Sequence, residues 1–147
     1  MLSTDVFRAR RERLLARVGA PILLLGNGVR ARNLPMNALP FRQDSTFLYF
    51  TGCDEPDAAA LIEEDGTTLF LPVPPPDDVL WHGPTPSLDD RREALGLDAV
   101  LPFPAAPPPR VGAAATIAPR LCRQVALWPL PTDDGTSTKW PARGNAG

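Results

Sequence analysis

Proline sets the first limit on what this chain can fold into. It carries 19 prolines in 147 residues, and 11 of them fall between Pro72 and Pro109. Proline cannot donate a backbone hydrogen bond and fixes φ, so it is excluded from helix interiors and from the middle of sheets. The run Pro72-Val73-Pro74-Pro75-Pro76 therefore cannot pair in a sheet interior and leads out into a loop. The length suits one domain of ordinary size, and the 44% hydrophobic and 22% charged residues are near the globular average. No apolar run reaches the ~18–20 residues of a membrane span, and the opening stretch to Arg17 is Arg-rich rather than signal-like, so a cytoplasmic protein is expected.

Within those limits the periodicity predicts an α/β fold: a mixed β-sheet with an antiparallel hairpin, flanked by helices. Ser3 or Thr4 caps a helix carrying Phe7, Leu14, Leu15 and Val18 on one face, with the stem of Arg11 between them and Gly19 as its stop. Ile22 to Leu25 is a short apolar run without alternation, the pattern of a strand buried on both faces. Phe47 to Phe50, aromatic and closed by Gly52, reads as a second strand. Asp65-Gly66 between the apolar runs Ala58–Ile62 and Thr67–Leu71 signals a hairpin. Ser87 caps a helix over Leu88–Leu95 that stops at Gly96, and Ala99–Leu101 is a last strand before Pro102. This gives two helices and about five strands by Phe103. The run 104–109 reads as a Pro-rich linker, and 110–147 as a poorly structured tail with periodicity only over Arg120 to Trp128.

Charge and donor supply exclude several functions. The net charge is −2, distributed as +6 over residues 1–42, −11 over 43–103 and +3 over 104–147. Arg8, Arg10, Arg11, Arg13 and Arg17 share the first helix, but the acidic middle opposes a phosphate-tracking surface, so a solvated helix face is expected and no nucleic-acid partner. Gly26-Asn27-Gly28 lacks the third glycine of a dinucleotide fingerprint and reads as a turn. His82 is the sole histidine, and Cys53 and Cys122 are the only cysteines, read as two free thiols. Cys53 has no flanking cation or histidine to activate it. Arg42, Gln43, Asp44 and Ser45 have no base beside them, so a structural network is expected, with Arg42 pairing Asp44 or a carbonyl and Ser45 closing a turn. Asp54, Glu55 and Asp57 are interrupted by Pro56 and fit a turn better than a calcium loop.

The run Pro40-Phe41-Arg42-Gln43-Asp44-Ser45-x-Phe47-x-Tyr49-Phe50-Thr51-Gly52-x-x-Glu55-Pro56-Asp57-Ala58, with Arg32-Asn33 before it and Trp81-x-Gly83-Pro84 after it, resembles the N-terminal domain of the Xaa-Pro aminopeptidases. These are aminopeptidase P enzymes of the creatinase-like "pita-bread" metallopeptidases. The resemblance covers residues 5–103; Leu39 stands where the family usually has Tyr, and nothing after Phe103 matches. It implies a mixed sheet flanked by helices that carries no catalytic or metal-ligating residue. The chemistry it implies for the full-length enzyme is removal of the residue before a penultimate proline. Two manganese ions held by two Asp, one His and two Glu of a separate C-terminal domain perform it. Asp133 and Asp134 are the only acids after Phe103, so this chain alone is expected to be inactive.

The resemblance further implies that the domain narrows the active-site cleft and builds subunit contacts, in a homo-oligomer or with a catalytic domain of the same family. Short proline-containing peptides would be substrates of the full-length enzyme only, and no membrane is involved. In oligomeric members an aromatic residue of one N-terminal domain lines a neighbour's substrate pocket, and Trp81 holds that motif position. The plain alternative is a loop tryptophan packed on its own sheet. A different class of function stays open: a stand-alone protein-interaction module that has lost its catalytic partner. The abrupt end of the resemblance at Pro104–Arg110 raises the expectation of a truncation, frameshift or recombinant junction there.

Overall fold

A computed structural model of the chain describes residues 3–34 and 36–103, with the backbone of 115–117, 129–131 and 137–139. The expected linker 104–109 lies outside the described residues. So does the rest of the tail, including Cys122, Asp133, Asp134 and the run Arg120 to Trp128.

Helix α1 spans Thr4–Val18, with the Ser3 hydroxyl accepting from the Asp5 amide and Gly19 ending it in a left-handed conformation. Strand β1, Ile22–Leu25, is buried along its whole length as its apolar run implied. Strands β2 (Ala59–Glu63) and β3 (Gly66–Leu71) form the hairpin expected at Asp65-Gly66. A four-residue helix α3, Val79–His82, follows the proline-rich loop. Helix α4, Leu88–Leu95, starts in a full capping box: the Ser87 hydroxyl accepts from the Asp90 amide while the Asp90 carboxylate accepts from the Ser87 amide. Strand β4 is Ala99–Pro102.

Four strands, not five, therefore precede Phe103, because Ser45–Thr51 is a helix, α2. The β-propensity of Phe47-Leu48-Tyr49-Phe50 is overridden by the chain ends. The Asp44 carboxylate accepts from the Thr46 and Phe47 amides at 2.9 and 3.0 Å, and Gly52 closes the helix in the left-handed region. Phe47 and Thr51, four apart, are buried, whereas Leu48 and Tyr49 are exposed, which is helical and not alternating spacing.

The sheet order is β4-β3-β2-β1, with β2 antiparallel to both β1 and β3, and β4 parallel to β3. The backbone of β5, Ala115–Ile117, adds in parallel on the outer edge of β1. Pro129–Pro131 (β6) and Ser137–Lys139 (β7) pair antiparallel with each other. One core cluster lies on the helix-covered face of the sheet, where Ile22, Leu24, Ala60, Ile62, Leu69, Leu71 and Val100 meet Phe47, Cys53 and Leu97, with Leu14, Leu15, Phe50, Leu88 and Leu95 packed against them. Helices α1, α2 and α4 thus all cover that one face.

The arginines of α1 do not form a uniformly solvated face. Arg11 is buried; its Nη1 donates to the Phe50 carbonyl at 3.0 Å and its Nη2 to the Gly96 carbonyl at 3.3 Å. Arg10 Nη1 donates to the Tyr49 carbonyl at 2.9 Å, with its guanidinium 3.9 Å from the centre of the Tyr49 ring. These acceptors are the last carbonyls of α2 and the end of α4, groups a helix cannot satisfy itself and where its dipole favours a cation. Burial lowers the pKa of Arg11 and Asp98 opposes that, and an arginine stays charged regardless. Gly96 is the close approach that makes this possible: at φ +61° a Cβ there would sit 2.5 Å from Cβ of Thr4, so α4 ends against the start of α1 only as glycine.

Candidate functional site: the Gln43 turn and the Trp81 tip

The polar run 42–45 is a structural network, centred on a residue the sequence did not single out within it. Gln43 is buried; its Oε1 accepts from the Asn27 amide at 2.7 Å and the Asp44 amide at 2.9 Å, and its Nε2 donates to the Glu55 carbonyl at 2.7 Å. Asn27 returns the contact, its Nδ2 donating to the Arg42 carbonyl at 3.0 Å and its carbonyl accepting from the Asp57 amide at 2.8 Å. A Cβ at Gly26 would meet Gln43 Oε1 at 3.0 Å and the Ala58 carbonyl at 3.1 Å, so the glycine turn after β1 is the seat of the Gln43 amide. Asp44 caps α2 instead of pairing with Arg42. The Arg42 side chain is exposed and Ser45 is the first residue of the helix, not a turn closure.

Of the acids after Gly52, Glu55 has a defined ionic role: its Oε1 accepts from Arg91 Nε at 2.6 Å, tying this turn to α4. Asp57 turns the backbone at φ 58°. Asp54 is exposed. Cys53 is a free, buried thiol whose pKa is pushed up to about 11, mainly by burial. Since the thiolate is the reactive form, alkylation of the folded protein at pH 8 is expected to be at least tenfold slower than in denaturant, on an order-of-magnitude basis. Mass-spectrometric counting of iodoacetamide adducts on Cys53 checks this, and equal rates would contradict it.

Trp81 stands apart from these networks. It is 82% exposed, as is Leu80 at 83%, with Val79 also exposed on the same short helix. It does not pack on its own sheet, the arrangement the plain reading required. His82 Nδ1 lies 2.9 Å from Asp78 Oδ1, an exposed pair within one turn. The structure therefore brings Gln43, Asn27 and Glu55 together and places Trp81 on a separate apolar tip with Val79 and Leu80. Sequence reasoning missed Asn27, Arg91, Val79 and Leu80. For the last two the signal was present, an apolar pair directly before Trp81 with Asp77-Asp78 at the helix start; for Asn27 and Arg91 the partners are distant in sequence.

The aminopeptidase P N-terminal domain family matches residues 7–107. The chain belongs to that family. A protein of Ajellomyces capsulatus named "Probable Xaa-Pro aminopeptidase PEPP" is 44% identical over 66 residues, covering 44% of this chain and 14% of that protein. The Arabidopsis thaliana protein named intermediate cleaving peptidase 55, mitochondrial, is 36% identical over 64 residues, covering 43% and 13%. Among solved structures, E. coli aminopeptidase P in its low pH form aligns with TM-score 0.59 and 29% identity over 69% of this chain and 24% of that one. Proline aminopeptidase P II of Yersinia pestis gives 0.58 and 25% over the same shares. The chain thus spans about a seventh of the curated relatives' length and a quarter of the solved ones'. The mixed sheet flanked by helices expected of an aminopeptidase P N-terminal domain is the fold observed. No helix among the described residues is long and apolar enough to cross a membrane.

Proposed function

We propose that this chain serves as the non-catalytic N-terminal domain of an Xaa-Pro aminopeptidase, shaping access to the active site and forming subunit contacts, while a separate domain cleaves the bond before proline. The match to the N-terminal domain family over residues 7–107 carries this reading. The donor set here does not fit a two-manganese centre: His82 is the sole imidazole and faces Asp78, and the Glu55 carboxylate is held by Arg91. No hydrolytic step is therefore assigned to these residues, and the two manganese ions are assigned to the catalytic domain. A free buried thiol at Cys53 suits the reducing cytoplasm.

The apolar tip of Val79, Leu80 and Trp81 supports the subunit role. Water-exposed aromatic surface of this kind is the usual anchor of a protein interface, and Trp81 is assigned to the lining of a neighbouring subunit's substrate pocket. With manganese added, the chain alone should not hydrolyse an Xaa-Pro peptide; turnover by homogeneous material would refute the reading. Mixed with a full-length homologue, it should co-elute on size exclusion. Trp81→Ala should abolish that co-elution while shifting stability by no more than about 0.5 kcal/mol. A wild-type chain that stays monomeric in the mixture favours the stand-alone interaction module instead.

A further inference from the structure

Two exposed apolar tips of opposite charge project from this domain. The first is a small hairpin between β1 and α2, where Ala31 and Ala38 pair as an antiparallel bridge. The Arg32 amide donates to the Asn37 carbonyl and the Leu39 amide to the Arg30 carbonyl, both at 2.8 Å. At its turn the Asn37 amide donates to the Leu34 carbonyl at 2.9 Å, and Asn37 Nδ2 to Asn33 Oδ1 at 2.8 Å. Fixed in this way, the hairpin leaves Leu34 65% and Met36 99% exposed. Arg30, Arg32 and Arg42 beside them are exposed and form no ion pair among the described residues. Residues 26–43 hold those three arginines and no acid.

The second tip is α3, with Val79, Leu80 and Trp81 exposed. Its rim is acidic. Asp77 is exposed and has no ion pair among the described residues, and Asp78 meets His82. Residues 66–90 hold four acids and no lysine or arginine.

We propose that the 30–39 hairpin of one copy seats on the α3 tip of a second copy, an inference that rests on the subunit role above and names the surface meeting that tip. The chemistry of the two sides matches. A methionine thioether packs favourably on aromatic rings, and a guanidinium is attracted to the face of a tryptophan. Arg10 makes the latter kind of contact with Tyr49 inside the domain. Arginine, methionine and tryptophan are also the residues enriched at protein interfaces. Asp77 supplies the counter-charge that the hairpin lacks. Both sides are held before contact, the hairpin by its backbone bonds and α3 by the Asp78–His82 pair, so docking orders little. Each chain carries both sides, so a two-fold arrangement of two copies uses each of them twice.

The test is sedimentation velocity of the full chain over a range of concentrations, at low salt and in ~1 M salt, where the Debye length falls to about 3 Å. The wild-type chain should self-associate, and about tenfold or more tightly at low salt. Arg32→Glu and Asp77→Arg replace exposed side chains, and each should weaken the association by about tenfold or more. Mixing the two variants should restore it, since each reversed charge then meets its opposite on the other chain. Met36→Ser should weaken it as well. A wild-type chain that is monomeric throughout would overturn the proposal. So would association that survives both charge reversals or Met36→Ser unchanged, or a mixture of the two folded variants that stays monomeric. Self-association lost while the wild-type chain still co-elutes with a full-length homologue would overturn the hairpin contact alone. The reverse result would keep that contact and overturn the enzyme role.

Discussion

Arg11→Ala is expected to lower the stability of this protein by on the order of 3 kcal/mol, the largest loss of any single charged residue described here. The substitution leaves the carbonyls of Phe50 and Gly96 without their donor at two helix ends and removes a buried aliphatic stem from between α1, α2 and α4. Hydrogen bonds from a charged group contribute about 1.5–3 kcal/mol, and a loss of this size lowers the Tm of a domain near 100 residues by roughly 15 °C. Arg11→Lys should recover less than half of it, because one ammonium cannot reach both carbonyls with the planar fork of a guanidinium. Denaturant midpoints with an unchanged slope would measure this, and a cost of ~0.5 kcal/mol or less for Arg11→Ala would remove Arg11 from its place as the joint of the three helices.

Gln43→Ala should cost about 2–3 kcal/mol, since the amides of Asn27 and Asp44 and the carbonyl of Glu55 lose their partner together. Gln43→Glu separates the donor from the acceptor role. The carboxylate keeps the two acceptor contacts but, when ionised, turns an oxygen toward the Glu55 carbonyl. Burial and that carbonyl favour the protonated acid and the two backbone amides favour the carboxylate; with the Glu55 carbonyl contact outweighing the amides, the folded pKa is expected above the unfolded value near 4.3. The folded state then binds the extra proton more tightly. The variant's deficit against wild type should be small below the unfolded pKa and grow as pH rises through the folded one. A deficit that is flat with pH would show that the Nε2 contact to Glu55 contributes nothing.

The parts of the fold legible in the sequence are those set by local chemistry. The capping box at Ser87, the Asp65-Gly66 hairpin, the doubly buried run Ile22–Leu25 and the glycine stops are each decided within a few residues, and the structure has them where the residues put them. At Phe47–Phe50 two local signals competed. Aromatic propensity spoke for a strand, and the Asp44 cap with Gly52 spoke for a helix; the caps prevailed because they satisfy backbone groups that would otherwise be orphaned in the core. Arg11 could be placed in the apolar stripe by its spacing, but the carbonyls it reaches are 39 and 85 residues away. The amide of Gln43 is likewise committed to a turn 16 residues earlier. In the candidate site, Trp81 was found through a motif, whereas its company of Val79 and Leu80 depends on a one-turn helix that proline-rich sequence conceals.

The sheet's outer strand on one side is only four residues long and finishes on Pro102, level with Leu71, from which the chain leaves through Pro72 and Pro74. An imide nitrogen at that margin has nothing to offer an incoming strand, and four residues make a poor template for one. Crowded nascent copies are thereby denied edge-to-edge polymer growth at this border, a safeguard installed by the residue type that also leads the chain out of β3.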